Sequence, residues 1–117
     1  NFNGTSPLLA QYGGNALSGR YLEIWAGQAS DVAPFLIVTN AILLALTLQS
    51  TAVNTGTVGV FKTTNLVTPI ATITLTASSS TSDITLTVPL SVTDQIAFRV
   101  TSGTISKPRI AMYFSGA

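Results

Sequence analysis

Hydrophobic and polar positions alternate along most of this chain with a period of two. Residues 94–104 set the pattern. Ile96, Phe98 and Val100 fall on one side, and Ala97, Arg99 and Thr101 on the other, as in a strand with one face buried. Thr93 and Asp94 open that strand with a turn, and Ser102 and Gly103 close it. The same grammar predicts strands at 20–25, 34–38, 41–49, 57–62, 67–76, 82–88 and 109–114. In 57–62, Val58 and Val60 oppose Thr57, Gly59 and Phe61. In 109–114, Ile110, Met112 and Phe114 oppose Ala111 and Tyr113. The stretches 27–33, 50–55, 63–65, 77–81, 89–93 and 104–108 read as turns and loops, rich in Gly, Pro, Ser, Thr and Asn. No segment keeps a helical period over a dozen residues, and Thr and Val favour strands over helices.

About eight strands at this spacing predict an all-β fold, a jelly-roll β-sandwich of antiparallel strands rather than a seven-stranded immunoglobulin-like one. Residues 1–18 are irregular and rich in Gly, Asn and Ser, with apolar anchors at Leu8, Leu9, Tyr12 and Leu17. They are expected to form an N-terminal arm or linker, with the jelly-roll domain over 19–117. The chain begins without Met, which reads as a fragment or a processed product, and its first residues carry no signal-peptide pattern.

Composition changes this picture in one respect. Only 8% of the 117 residues are charged, against about 25% in typical soluble domains, and the mean hydropathy is +0.50. Such a chain covers itself with Thr, Ser, Asn and Gln, or hides surface against copies of itself, and both are expected here. Leu46, Phe98, Met112 and Phe114 are placed in the core or in a seam between copies. The greasy run from Pro34 to Thr51 is broken at Thr39 and Asn40 and alternates in its second half, so it reads as a buried strand and not a membrane span.

Candidate chemistry is sparse. The chain has neither Cys nor His, which removes thiolate ligands, thiol nucleophiles and the commonest general base. Glu23 and Asp31 are the one candidate carboxylate pair, and nothing around them suggests a sugar-cleaving cleft. Asp31, Asp83 and Asp94 follow no calcium-binding spacing. No catalytic, cofactor-binding or metal-binding residue is therefore assigned, and the chain is not expected to be an enzyme. Net charge is +1, and Arg20, Lys62, Arg99, Lys107 and Arg109 form no basic stripe of the kind nucleic-acid binding uses. Lys107 and Arg109 form a basic pair suited to an acidic partner or to protecting an edge strand. Tyr21, Trp25 and Tyr113 are candidate contacts, either as a stacking platform for sugar rings or as an interface with a neighbouring subunit.

Three segments carry a resemblance. They are Gly56-Thr57-Val58-Gly59-Val60-Phe61-Lys62, Leu86-Thr87-Val88-Pro89-Leu90, and the strand running from Asp94 to Thr104. Together they resemble the compact jelly rolls related to tumour-necrosis-factor and C1q heads, found on bacteriophage fibres and on spore-surface glycoproteins. Thr63-Thr64-Asn65 stands where that pattern has Asn-Gly. The resemblance implies a homotrimer projecting from a virion or spore surface; other virion proteins and a host-surface glycan are expected partners, and no cofactor is expected. It points to a fibre module, at a tail or head, involved in host attachment. A capsid decoration or cementing protein and a carbohydrate-binding module are the alternatives.

Overall fold

The structure, a computed structural model, describes residues 6–25, 28–31, 34–37 and 39–116, with side chains apart from those of residues 6–9, 25 and 116. Among these residues the chain is all-β. Its strands are β1 (Ser6–Gln11), β2 (Asn15–Leu17), β3 (Glu23–Trp25), β4 (Gln28–Ala29), β5 (Phe35–Leu36), β6 (Ala41–Lys62), β7 (Ala71–Asp83), β8 (Val88–Leu90), β9 (Gln95–Ser106) and β10 (Arg109–Gly116). All pairings between these strands are antiparallel. The sheet curls over on itself as a sandwich of jelly-roll type.

The spine is β6. Its 22 residues would reach about 70 Å if straight, at about 3.3 Å per residue. The longest extent of the molecule is 37 Å, so β6 has to turn a corner. Its first half pairs with β10, Ile110 opposite Leu48 and Met112 opposite Leu46. Its second half pairs with β9, Val58 opposite Val100 and Val60 opposite Phe98. The pairing of β6 with β7 slips between Gln49 and Asn54 and again before Gly56. The neighbouring strands bend at the same place. Ala77 in β7 has φ 46°, and Gly103 in β9, opposite Gly56, has φ 71°. Glycine reaches that left-handed backbone at no steric cost, and such irregular residues are how a sheet turns back over its own inner face.

The inner faces of the two halves share one core. Leu43, Leu46 and Leu48 meet Val58 and Val60, Ile73 and Leu75, Ile96, Phe98 and Val100, and Ile110, Met112 and Phe114. Burying each large side chain contributes about 1.5–3 kcal/mol, so this cluster supplies most of the drive to fold.

Several sequence expectations change here. Residues 50–55, expected as a loop, are strand around the corner of β6, and the Ser-rich 77–81 is strand within β7. Residues 102–103 likewise continue β9 instead of closing it. Corners and loops use the same small and polar residues, and only the pairing tells them apart. Residues 84–87, expected as strand, lie between β7 and β8, and Ile84 is 79% exposed. The expected arm, residues 1–18, is part of the sheet from Ser6 onward; residues 1–5 lie outside the described residues. β1 pairs along β10 and β2 along the end of β9, with Ala10 and Ala16 fully buried. The edge of β10 offers a row of backbone hydrogen bonds, and a short segment with little period of its own takes them. Ten strands among the described residues thus replace about eight.

No helix among the described residues is long and apolar enough to cross a membrane.

Candidate functional site

Of the aromatic residues singled out in the sequence, Tyr21 and Tyr113 do not converge. Tyr21 lies beside β9, its backbone bridged to Arg99. The Arg99 guanidinium donates to the Tyr21 hydroxyl at 3.1 Å. It also lies 5.5 Å from the Tyr21 ring centroid and 4.4 Å from that of Phe61. Phe61 points away from the main core yet is fully buried, its ring laid across Gly59. A Cβ on Gly59 would come within 2.7 Å of Phe61 Cε1, so only glycine leaves room for the ring. Tyr21 is therefore engaged in a Phe61–Arg99–Tyr21 stack, where cation–π contact adds to burial.

Tyr113 stands on the outer face of β10 and is 41% exposed. It belongs to the other half of the sandwich from Tyr21, so the two tyrosines form no common platform. The Trp25 side chain lies outside the described residues. Leu46, Phe98, Met112 and Phe114 are buried within the single chain, with the Phe35 and Phe114 rings 6.2 Å apart.

A different group of residues does come together. Antiparallel register sets Gln11 opposite Arg109 and opposite Glu23. The Tyr12 N–H donates to the Pro108 carbonyl at 3.1 Å, and the Lys107 N–H donates to the Gly14 carbonyl at 2.9 Å. These bonds draw Gln11, Tyr12, Gly13, Glu23, Thr51, Lys107 and Arg109 around an open cleft of about 430 Å³. Arg109 Nη2 donates to Gln49 Oε1 at 2.9 Å. The Arg20 guanidinium sits 4.9 Å above the Tyr12 ring and borders a second hollow, of about 480 Å³, with Tyr21 and Asp31. Lys107 has φ 45°, uncommon for a residue with a Cβ.

The Lys107 and Arg109 pair was legible from its closeness in sequence. Tyr12, Gln11 and Thr51 reach the cleft only through pairings across tens of residues, and no local pattern marks them.

Charge elsewhere is accounted for differently. Among the described residues the one ion pair is Lys62 Nζ with Asp94 Oδ2, at 3.2 Å. Asp83 accepts the Thr85 hydroxyl at 2.6 Å and the Thr85 N–H at 3.0 Å. Both bonds, the hydroxyl's first, hold its carboxyl below the ordinary carboxylate value. No three of Asp, Glu, His and Cys gather into a metal-binding group among the described residues.

No family model matches the chain, and no curated protein does. Among solved structures, a chain of the cyanophage Pam1 capsid asymmetric unit is similar with a TM-score of 0.45 and 21% identity. The likeness covers 100% of this chain and 89% of that one. A likeness that loose carries no function from one chain to the other.

Proposed function

We propose that this chain is a non-enzymatic structural module of a bacteriophage virion surface, a homotrimeric fibre module at tail or head that takes part in host attachment. One observation carries the reading. The two main segments of the resemblance, residues 56–62 and 96–103, are neighbours in the sheet, paired from Lys62 and Ile96 to Gly56 and Gly103 with one register shift between Thr57 and Val58. Segments more than 30 residues apart in sequence thus make one structural unit, as a shared jelly-roll ancestry requires. The neutral surface supports assembly. The outer face of β6 and β7 is covered by hydroxyl pairs, Thr57 with Thr74 at 2.9 Å and Thr47 with Ser82 at 3.0 Å. Covering such a face with another copy strands no charge.

Light scattering on the purified protein tests the assembly. A mass of three chains is expected at micromolar concentration, and a monomeric mass would remove the trimer and most of the resemblance's force. Electron microscopy of the particle that carries the protein separates a fibre module from a capsid decoration protein.

A further inference from the structure

We propose that the cleft bounded by Tyr12, Lys107 and Arg109 binds an anionic sugar, a saccharide carrying a carboxylate or a phosphate. The proposal deepens the attachment role above by naming a site and a ligand class for it.

The disposition of the five cations points there. Lys62 is paired with Asp94, and Arg99 is packed between Phe61 and Tyr21. Of the other three, Lys107 and Arg109 line the cleft, and Arg20 lies over the Tyr12 ring on the side of the second hollow, which Asp31 also lines; none of the three forms an ion pair among the described residues. Two of them line the cleft against a single acidic residue, Glu23, and Arg20 stacks on the ring that forms its wall. In a chain with so few charges, this is where a positive potential gathers, and a concave site focuses it.

The remaining lining suits a sugar. Tyr12 supplies an aromatic surface for the apolar face of a pyranose, and Gln11 and Thr51 supply an amide and a hydroxyl for ring hydroxyls. A guanidinium presents a fork of donors to a carboxylate or phosphate, and an ammonium a mobile point charge. The volume of about 430 Å³ falls in the range of small-ligand sites, about 300–1,000 Å³. Lys107 has a left-handed backbone, and its N–H donates to the Gly14 carbonyl. Backbone conformations of that kind collect where a side chain has to be aimed.

Calorimetric titration of the intact protein tests this with trigalacturonate, glucose 6-phosphate and neutral maltotriose. At least one anionic probe should bind, more weakly as salt is added, and maltotriose should not. Which anion binds identifies the source, carboxylate or phosphate. Lys107→Gln and Arg109→Gln should each weaken binding at least fivefold, and Lys62→Gln, on the paired lysine, should leave it unchanged. Circular dichroism checks that each variant is folded. Binding of neither anionic probe, maltotriose binding as tightly as they do, or affinity unmoved in both cleft variants overturns the proposal. Light scattering on the same samples keeps the two readings apart. A trimer that binds neither anion removes the cleft alone. A monomer that binds one removes the assembly and leaves the cleft standing.

Discussion

Ser30→Ala removes the one buried polar side chain among the described residues. Ser30 is wedged between the segment at Leu22 and the edge of β9 that faces away from β6. Its N–H donates to the Leu22 carbonyl at 2.9 Å. Its hydroxyl accepts the Phe98 N–H at 3.0 Å and donates to the Phe98 carbonyl at 3.1 Å. The side chain thus replaces a rung of the ladder. The Phe98 carbonyl would survive the substitution, since Leu22 N–H also donates to it at 2.8 Å. The Phe98 N–H would be left buried with no partner, which costs about 1–3 kcal/mol. Loss of one oxygen's volume adds little. For a domain of this size that corresponds to a melting temperature lower by roughly 4–12 °C. In urea the midpoint should fall with the slope unchanged, because the surface exposed on unfolding is the same. Hydrogen exchange should show the Phe98 amide losing protection beyond the global change. A loss under about 0.5 kcal/mol, with that amide protected as before, would refute the account of an orphaned donor.

Gly103→Ala should cost about 3 kcal/mol or more, seen as a large fall in melting temperature. A Cβ there would overlap the Thr55 carbonyl oxygen on a backbone already at φ 71°. Arg99→Ala should expose the Phe61 ring and release Tyr21, lowering stability by about 1–2 kcal/mol by denaturant titration. The Asp83 carboxyl should titrate below its ordinary value of 3.8 in NMR, and Thr85→Val should move it upward. Its folded value is depressed, so its contribution to stability is present above the unfolded value and disappears as pH falls through the folded one.

The alternation in residues 96–100 was enough to put Ile96, Phe98 and Val100 on one face, and the sequence left Phe98, Leu46, Met112 and Phe114 to the core or a seam; all six are buried within the single chain. Period two encodes which face is inward, because burial selects side chains one by one. It does not encode where a strand ends. Ser50, Thr51 and Asn54 in β6 look like a loop and are a corner, since both avoid large side chains. Strands as short as β2, β4 and β5 carry too few residues for any period, and they form where a longer strand leaves an edge to pair. Ser30 is unmarked for a related reason. Its importance lies in a gap between two distant strands, and a serine in a Gly-, Ala- and Ser-rich loop looks the same whether or not it fills one. The cleft divides along the same line, with Lys107 and Arg109 set by local spacing and Tyr12 by the fold.

The hydroxyl pairs of β6 and β7 and the cations of the Tyr12 cleft should respond differently to burial, and the difference can be tested directly. Hydroxyls on the outer face of β6 and β7 satisfy one another, as Thr57 and Thr74 do. Desolvating a paired hydroxyl costs far less than desolvating a charge, so this face suits contact with another copy. The cations of the Tyr12 cleft would resist that burial, because covering an ammonium or guanidinium without a counter-charge costs several kcal/mol. Assembly and anion binding should therefore respond to different substitutions. Thr74→Lys, on the exposed outer face of β7, should lower the mass found by light scattering and leave binding of the anionic probe within twofold. Lys107→Gln should weaken binding and leave the mass unchanged. If Lys107→Gln changes the mass and Thr74→Lys does not, the cleft is the seam between copies and the assignment of the two surfaces is reversed.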